Sequence, residues 1–320
     1  MRGRTWRNID VEKASKIRDL LVSLGAERLE TPQSFEVWRY RIKDCTITYY
    51  TSGTMYATPT QDPDVSRIIE RIEKIIGFIY TPPTREWCVG VDETGKGEVF
   101  GYLHVVGVVF HKELFGKIEK VVGSVETKRR RSEEFWEQLY SDLENLMGDR
   151  FFFVEERISP ADIDDFNLNE LLDVTYMRVL KRIFDGRIPP EDSRIIIDDY
   201  GVSERFKEFV QSLEQRGAEV IIKTKSEEEY LESRLAAIIA KWKQIQVLKR
   251  IRENPAYRIR GVVIGSGNLN EDSTLKWIKR WYKSGKPWPW FVRKSYRTIY
   301  RLDESLNKPR KNKIFKESEN

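Results

Sequence analysis

The sequence predicts an α/β fold, a mixed sheet with flanking helices, preceded by a small α+β domain. Three observations lead there. Two strand-like runs, at 87–91 and 102–110, stand close enough to pair as a hairpin, whereas the later runs at 194–197 and 219–223 are separated by helical segments long enough to cross over. Residues 80–85, YTPPTR, form a proline-stiffened linker. A chain of 320 residues with 40% hydrophobic content suits two cored domains better than one.

The elements follow in order. Between 11 and 25, Ala14, Ile17, Leu20, Leu21 and Leu24 recur at helical spacing, and Gly25 supplies the stop. Residues 35–42 alternate as a strand, 45–51 (CTITYYT) are β-branched and aromatic, and Ser52-Gly53 turns the chain into 54–58. Asp62-Pro63 opens a helix over 65–76. The first domain is therefore 1–79, with 80–86 as linker. In the second domain, 87–302, strand 87–91 leads into the glycine-rich turn of GVDETGKGEVFG at 90–101, and strand 102–110 follows. Helix 132–147, strand 150–158, helix 168–184, strand 194–197, helix 203–217, strand 219–223 and helices 228–252 and 273–282 complete it. A solvated basic tail, 303–320, contains KPRKNK at 308–313.

Composition narrows the chemistry. The first thirty residues are charged and amphipathic, unlike a signal peptide, and no apolar run approaches a bilayer-spanning length, so a cytoplasmic, soluble protein is expected. Cys45 and Cys88 lie in apolar runs without metal-site spacing and read as reduced core residues. With only His104 and His111 available, both in or at the end of a strand, any metal would be held by oxygen. One third of the residues are charged, in both signs, a pattern of ion-pair networks in heat-adapted proteins. The net charge of +5 conceals an asymmetry: residues 241–301 hold 16 Lys and Arg against 3 Asp and Glu. A polyanion suits such a face.

Four acids stand out by position. Asp92 and Glu93 end the first strand of the second domain, Asp198 ends another, and Glu227 follows strand 219–223 at the start of a helix. Neighbouring acids at a strand end cannot both be buried cheaply, so a metal or a substrate hydrogen bond is their expected company. Acids converging on one sheet edge are what a two-metal phosphodiester site needs, and Mg²⁺ or Mn²⁺ suits such donors. The residues leave alternatives open. Asp198 and Asp199 could exchange roles, either could cap the next helix, and Glu227 stands in a run of three glutamates where first-turn acids are favoured anyway.

The second domain resembles the type 2 family of ribonucleases H, which share a retroviral-integrase-like fold. GVDETGKG is similar to that family's opening acid pair and glycine turn, IIIDDYG to the strand carrying its third acid, and IKTKSEEEYLESRLAAIIAK to its lysine-rich strand, fourth acid and following helix. The resemblance places the third acid on Asp198 and the fourth on Glu227. Glu126-Thr127-Lys128 is similar to the family's Asp-Ser-Lys, 166–171 (FNLNEL) to its Asn-Leu-Asn segment with Asn169 at the key position, and 265–297 to its carboxy-terminal region. DCTITYYTSGTMYATP resembles the amino-terminal, TATA-box-binding-protein-like domain of the ribonuclease HIII branch. Tyr102 replaces a usual proline, Arg234-Leu235 interrupts the small-residue run of the helix, and Asn268 stands where ribonuclease HII has a junction-stacking tyrosine.

The resemblance implies a ribonuclease H-like mixed sheet and a monomeric endonuclease that hydrolyses the RNA strand of RNA/DNA hybrids to 3′-hydroxyl and 5′-phosphate ends. Asp92, Glu93, Asp198 and Glu227 would hold two ions. Gly95, Lys96 and Gly97 would approach the shallow groove of the hybrid, with Lys96 alternatively a phosphate contact. Tyr49 and Tyr50 would meet the substrate from the small sheet, or divide with Tyr56 between core and surface as in any sheet. Lys276, Lys279, Arg280 and Lys283 fall on one side of a helix and would contact phosphates, while Trp277, Trp281, Trp288 and Trp290 would pack in the core or between domains. A hybrid binder without activity, and a DNA resolvase or integrase of the same architecture, are the competing readings.

Overall fold

A computed structural model describes residues 3–7, 9–77, 80–123, 125–186, 188–306 and 311–314. The chain divides into two compact units, residues 1–80 and 81–320. In the first, the elements run β1 (Arg4–Trp6), α1 (Val11–Ser23), β2 (Glu27–Arg28), β3 (Glu36–Ile42), β4 (Cys45–Tyr50), β5 (Met55–Ala57) and α2 (Pro63–Ile76). Asp10 and Asp62 accept backbone amides at the starts of α1 and α2, as their positions require. The sheet is antiparallel in the order β1-β5-β4-β3-β2, and Ile17, Leu21, Ile69 and Ile72 of the helices belong to its core. The short edge strands β1 and β2 carry too little periodicity to be read from sequence.

The second unit begins with β6 (Trp87–Thr94), β7 (Leu103–His111), α3 (Phe115–Val122), α4 (Glu133–Glu144), β8 (Phe151–Ile158), α5 (Pro160–Asp165) and α6 (Leu168–Ile183). It continues through β9 (Ser193–Asp198), α7 (Glu204–Glu214), β10 (Glu219–Lys223), α8 (Leu231–Glu253), α9 (Asp272–Lys283) and α10 (Arg297–Tyr300). The strand order is β10-β9-β6-β7-β8. Strands β6, β7 and β8 form an antiparallel meander, and β9 and β10 join in parallel through helical crossovers, as expected from the spacing.

Helices α6 and α7 cover one face, where Val179, Leu180, Ile183, Phe206 and Val210 share a core with Val89, Val91, Val105 and Ile197. Helix α8 covers the other. It comes so close that a Cβ at Gly90 would stand 2.2 Å from the Glu232 carbonyl. The consequence is a parity rule along β6: odd residues face α6, and Gly90 and Asp92 face α8.

Several expectations change. The first strand does not stop at the acids, because pairing with β7 continues to Thr94 opposite His104. Thr81, expected in the linker, donates to the Glu229 carbonyl, and the Arg194 guanidinium binds the carbonyls of Thr81 and Pro82. In the carboxy-terminal segment, Asn312 exchanges backbone bonds with Asp165 and Asn167, so residues 311–314 lie on the α5–α6 corner. Residues 308–310 of the expected solvated stretch lie outside the described residues. Trp277 and Trp281 are buried in a carboxy-terminal core, but Trp290 is 48% exposed. Cys45 and Cys88 are free and buried.

Candidate active site

A cavity of about 1140 Å³ is lined by Asp92, Glu93, Asp198 and Glu227 together, although they come from three separate stretches of the chain. Three short-range devices place them. The first is the strand parity of β6, which buries Asp92 on the α8 side, where its carboxylate accepts the Glu93 amide at 2.7 Å. On the other side, Glu93 accepts the hydroxyl of Tyr176 from α6.

The second device is the end of β9. Asp198 accepts both the amide (2.9 Å) and the hydroxyl (3.2 Å) of Ser226, whose Oγ in turn shares a 2.6 Å bond with Ser233 of α8. Asp199, its rival in sequence, instead accepts the amides of Gly201 and Val202 and shapes its own loop. That assigns the cavity position to Asp198.

The third is the chain reversal before α8. Lys225 takes a left-handed conformation, and Glu227 lies in a 3-10 turn, Ser226–Glu228, one step before the helix rather than within it. The residue is 8% exposed, and its carboxylate meets the Lys128 ammonium at 3.2 Å. Arg234 ties this arrangement together by donating to the carbonyls of Glu227 (3.0 Å) and Val125 (3.1 Å). The residue that interrupts the small-residue run is thus the bridge between the Glu227 turn and the loop carrying Lys128.

The electrostatics follow from crowding. Burial pushes the Asp92 carboxyl well above the usual carboxylate range, and the charges of Glu93, Asp198 and Glu227 add to it. Burial also raises Glu93, against the Tyr176 hydrogen bond and the Lys96 charge. Asp198 is raised by burial, opposed by the Ser226 amide. The hydrogen bond to Glu227 raises the Lys128 ammonium. Such a cluster favours a partner of concentrated positive charge.

Among the described residues no three His, Cys, Asp or Glu side chains stand together as a closed ion-holding group. The acids are instead neighbours across an open cavity, each fixed by its own partner. That donor set fits a hard divalent cation, which takes one or two carboxylates and completes its shell with water and phosphate oxygens.

The remaining site residues are distributed as follows. Gly95 has φ +103 and its Cβ position lies 3.0 Å from the Tyr102 carbonyl, so it is glycine by geometry. Lys96 turns inward, its ammonium on the Tyr200 carbonyl at 3.2 Å and over the Tyr200 ring. Gly97 is exposed. Asn169 is exposed on the first turn of α6, outside the cavity and beside Gly201. Lys276 and Lys279 are exposed on α9, also outside the cavity, with Lys276 3.9 Å from Asp272.

In the small unit Tyr50 is half-buried beside the exposed Phe35. Tyr49, by contrast, is buried against Trp38 with its hydroxyl on the Ile9 carbonyl, so it is a core residue rather than a substrate contact. Adjacent strand residues face opposite ways, and only one of the pair can point outward.

Sequence reasoning missed Tyr176, Ser226 and the run Arg129-Arg130-Arg131, which lines the cavity next to Lys128. The arginine run was legible as charge. It was overshadowed by the larger basic excess further along.

With this geometry in hand, comparison with known proteins is decisive. Residues 89–299 match the family model described as ribonuclease HII. The chain belongs to the ribonuclease HII family. Ribonuclease HII of Thermococcus sibiricus is 29% identical over 222 residues, covering 68% of this chain and 92% of that protein. The crystal structure of ribonuclease H2 from Pyrococcus horikoshii OT3 matches with a TM-score of 0.55 at 24% identity, over 68% of this chain and 98% of that one. Bst-RNase HIII in complex with Mn²⁺ matches across both units, with a TM-score of 0.56 at 14% identity over 94% of this chain and 97% of that one. This last likeness is one of fold, and it extends to the amino-terminal unit that the family model does not cover.

Proposed function

We propose that the chain is a divalent-metal-dependent endonuclease of the ribonuclease HIII type that hydrolyses the RNA strand of RNA/DNA hybrids, leaving 3′-hydroxyl and 5′-phosphate ends. The observation that carries this reading is the meeting of Asp92, Glu93, Asp198 and Glu227 in one cavity, in a chain of the ribonuclease HII family. These four carboxylates would hold Mg²⁺ or Mn²⁺. When bound, the ions supply the charge that activates water and stabilises the departing oxygen.

The protein's own groups account for the rest. Tyr176 and Ser226 orient Glu93 and Asp198 with fixed donors, so the carboxylates enter the reaction already aligned. Lys128 and Arg129 to Arg131 line the same cavity and neutralise the phosphates of an incoming strand. The turn at Gly95 to Gly97 offers backbone amides to the ribose side of the groove. At position 97 a Cβ would meet nothing within 4 Å, and the bare backbone there leaves room for a substrate strand to come close.

Asn268 lines the cavity with its side-chain carbonyl committed to the Asn270 amide. It offers no ring for stacking at an RNA to DNA junction, which favours tracts of several ribonucleotides over a single one. The small unit, through Val37 and Tyr50 on its sheet and Phe35 in the turn before β3, would add contacts to the hybrid.

The test is cleavage of an end-labelled hybrid with and without EDTA, by the wild type and by Asp198→Asn. The expected result is metal-dependent cutting of the RNA strand by the wild type, and binding without cutting by the variant. A variant that cuts at the normal rate removes Asp198 from the reaction. Cutting of all-DNA junctions in place of the hybrid would make the chain a resolvase.

A further inference from the structure

Arg293 is 0% exposed, yet it is not engaged by any carboxylate among the ion pairs of the described residues. Its guanidinium is taken up by two backbone carbonyls and one hydroxyl. It donates to the Gly95 carbonyl, twice to the Gly101 carbonyl at 3.1 and 3.2 Å, and to the Tyr296 hydroxyl at 2.8 Å. Tyr296 passes its own hydroxyl proton on to the Lys96 carbonyl at 2.6 Å. Two consecutive carbonyls of the glycine turn are therefore gripped from behind by one residue pair nearly two hundred positions later in the chain.

Peptide planarity gives that grip a consequence. In a trans peptide the C=O of one residue and the N–H of the next point in opposite directions, and no peptide bond described here is cis. Drawing the Gly95 carbonyl toward Arg293 turns the Lys96 amide outward, and drawing the Lys96 carbonyl toward Tyr296 turns the Gly97 amide outward. Neither amide donates to an acceptor among the described residues. The grip is itself anchored, because Asp164 accepts the amides of Lys294 (3.0 Å) and Ser295 (2.7 Å), and the Arg293 amide donates to Val99.

We infer that Arg293 and Tyr296 are positioning residues for sugar discrimination: they hold the Lys96 and Gly97 amides in the orientation that reads a 2′-hydroxyl, and so set the preference for ribose over deoxyribose at the cut. This rests on the ribonuclease reading above. A merely structural role would lower all cutting alike, whereas this role lowers selectivity.

The experiment uses the full chain and two duplexes, each with a four-ribonucleotide tract in one strand, identical except that one carries a single 2′-deoxynucleotide on the 5′ side of a chosen bond. The ratio of kcat/KM at that bond between the two duplexes measures discrimination. Tyr296→Phe keeps the ring but removes both the bond from Arg293 and the bond to the Lys96 carbonyl; loss of the latter, which sets the Gly97 amide, is expected to reduce the ratio by about tenfold, the worth of one such bond. Arg293→Lys, which cannot reach all its acceptors at once, reduces it further. If both variants cut more slowly but keep the wild-type ratio, the inference is wrong. A wild type that leaves the hybrid intact overturns the ribonuclease reading instead. Because Arg293 is buried, Tyr296→Phe decides the matter if the lysine variant fails to fold.

Discussion

Replacing Gly90 with alanine probes how tightly the acids are coupled to the packing beneath them. The new Cβ would stand 2.2 Å from the carbonyl carbon and oxygen of Glu232 and 2.7 Å from the Ser233 nitrogen. All are backbone atoms, so no rotamer change relieves the overlap. Ordinary contact begins at 3.4 Å, and α8 has to retreat locally by about 1.2 Å. Overpacking of this kind costs about 1–3 kcal/mol, and the stiffer unfolded chain returns roughly 0.4–1 kcal/mol of that, leaving a net loss of about 1–2 kcal/mol.

The catalytic effect is larger than the stability effect. Ser233 is bonded to Ser226, and Ser226 holds Asp198 and adjoins Glu227, so the retreat is delivered to two of the four acids. A misplacement near 1 Å costs on the order of 10²-fold in rate. Urea unfolding and hybrid cleavage at saturating substrate read the two quantities separately. A variant as stable as the wild type would mean that α8 does not press on β6 here. Lost stability with an unchanged rate would show that the Ser226 to Ser233 link carries no strain to the acids.

Other outcomes follow from the same geometry. Glu232→Gln, which leaves the fully buried Arg194 without its charge partner, lowers stability by about 3–5 kcal/mol, whereas Arg194→Met combined with Glu232→Leu recovers most of it; equal losses in a urea double-mutant cycle would refute the pairing. Asp92 has a raised folded-state pKa, so its ionisation penalises the metal-free fold increasingly as pH rises above the unfolded carboxylate range near 4. Asp92→Asn should then be more stable than the wild type by a margin that widens from pH 4 to 7 in EDTA, and a constant margin would contradict it. Lys128→Met leaves stability nearly unchanged, since the lysine is largely exposed, but reduces the salt dependence of hybrid binding by roughly one released counterion. An unaltered slope would remove Lys128 from the phosphate contacts.

What could be read in advance was local. Helix periodicity and the Asp62-Pro63 start each depend on neighbours a few residues apart, and each helix they announced is present within a few residues of its expected bounds. The glycine turn was legible too, because positive φ at Gly95 is a property of that residue.

Choices that turn on a single residue of parity or register were not. Tyr49 and Tyr50 are equivalent by composition, and a register shift between Glu36 and Trp38 on the paired strand accompanies the arrangement that sends the first into the core. Asp198 and Asp199 are likewise identical chemically; only the approach of Ser226, carried in by the parallel pairing of β9 with β10, gives one the cavity and the other the loop. Arg194 with Glu232, Arg234 with Val125, and Arg293 with Gly95 join positions 38, 109 and 198 residues apart. The sequence by itself determined which segments become helix or strand and which acids can sit at a sheet edge, since those depend on backbone preference and short spacing. Tertiary structure alone decided which buried cations hold that edge together, because a side chain's partner across the fold is set by how whole elements stack.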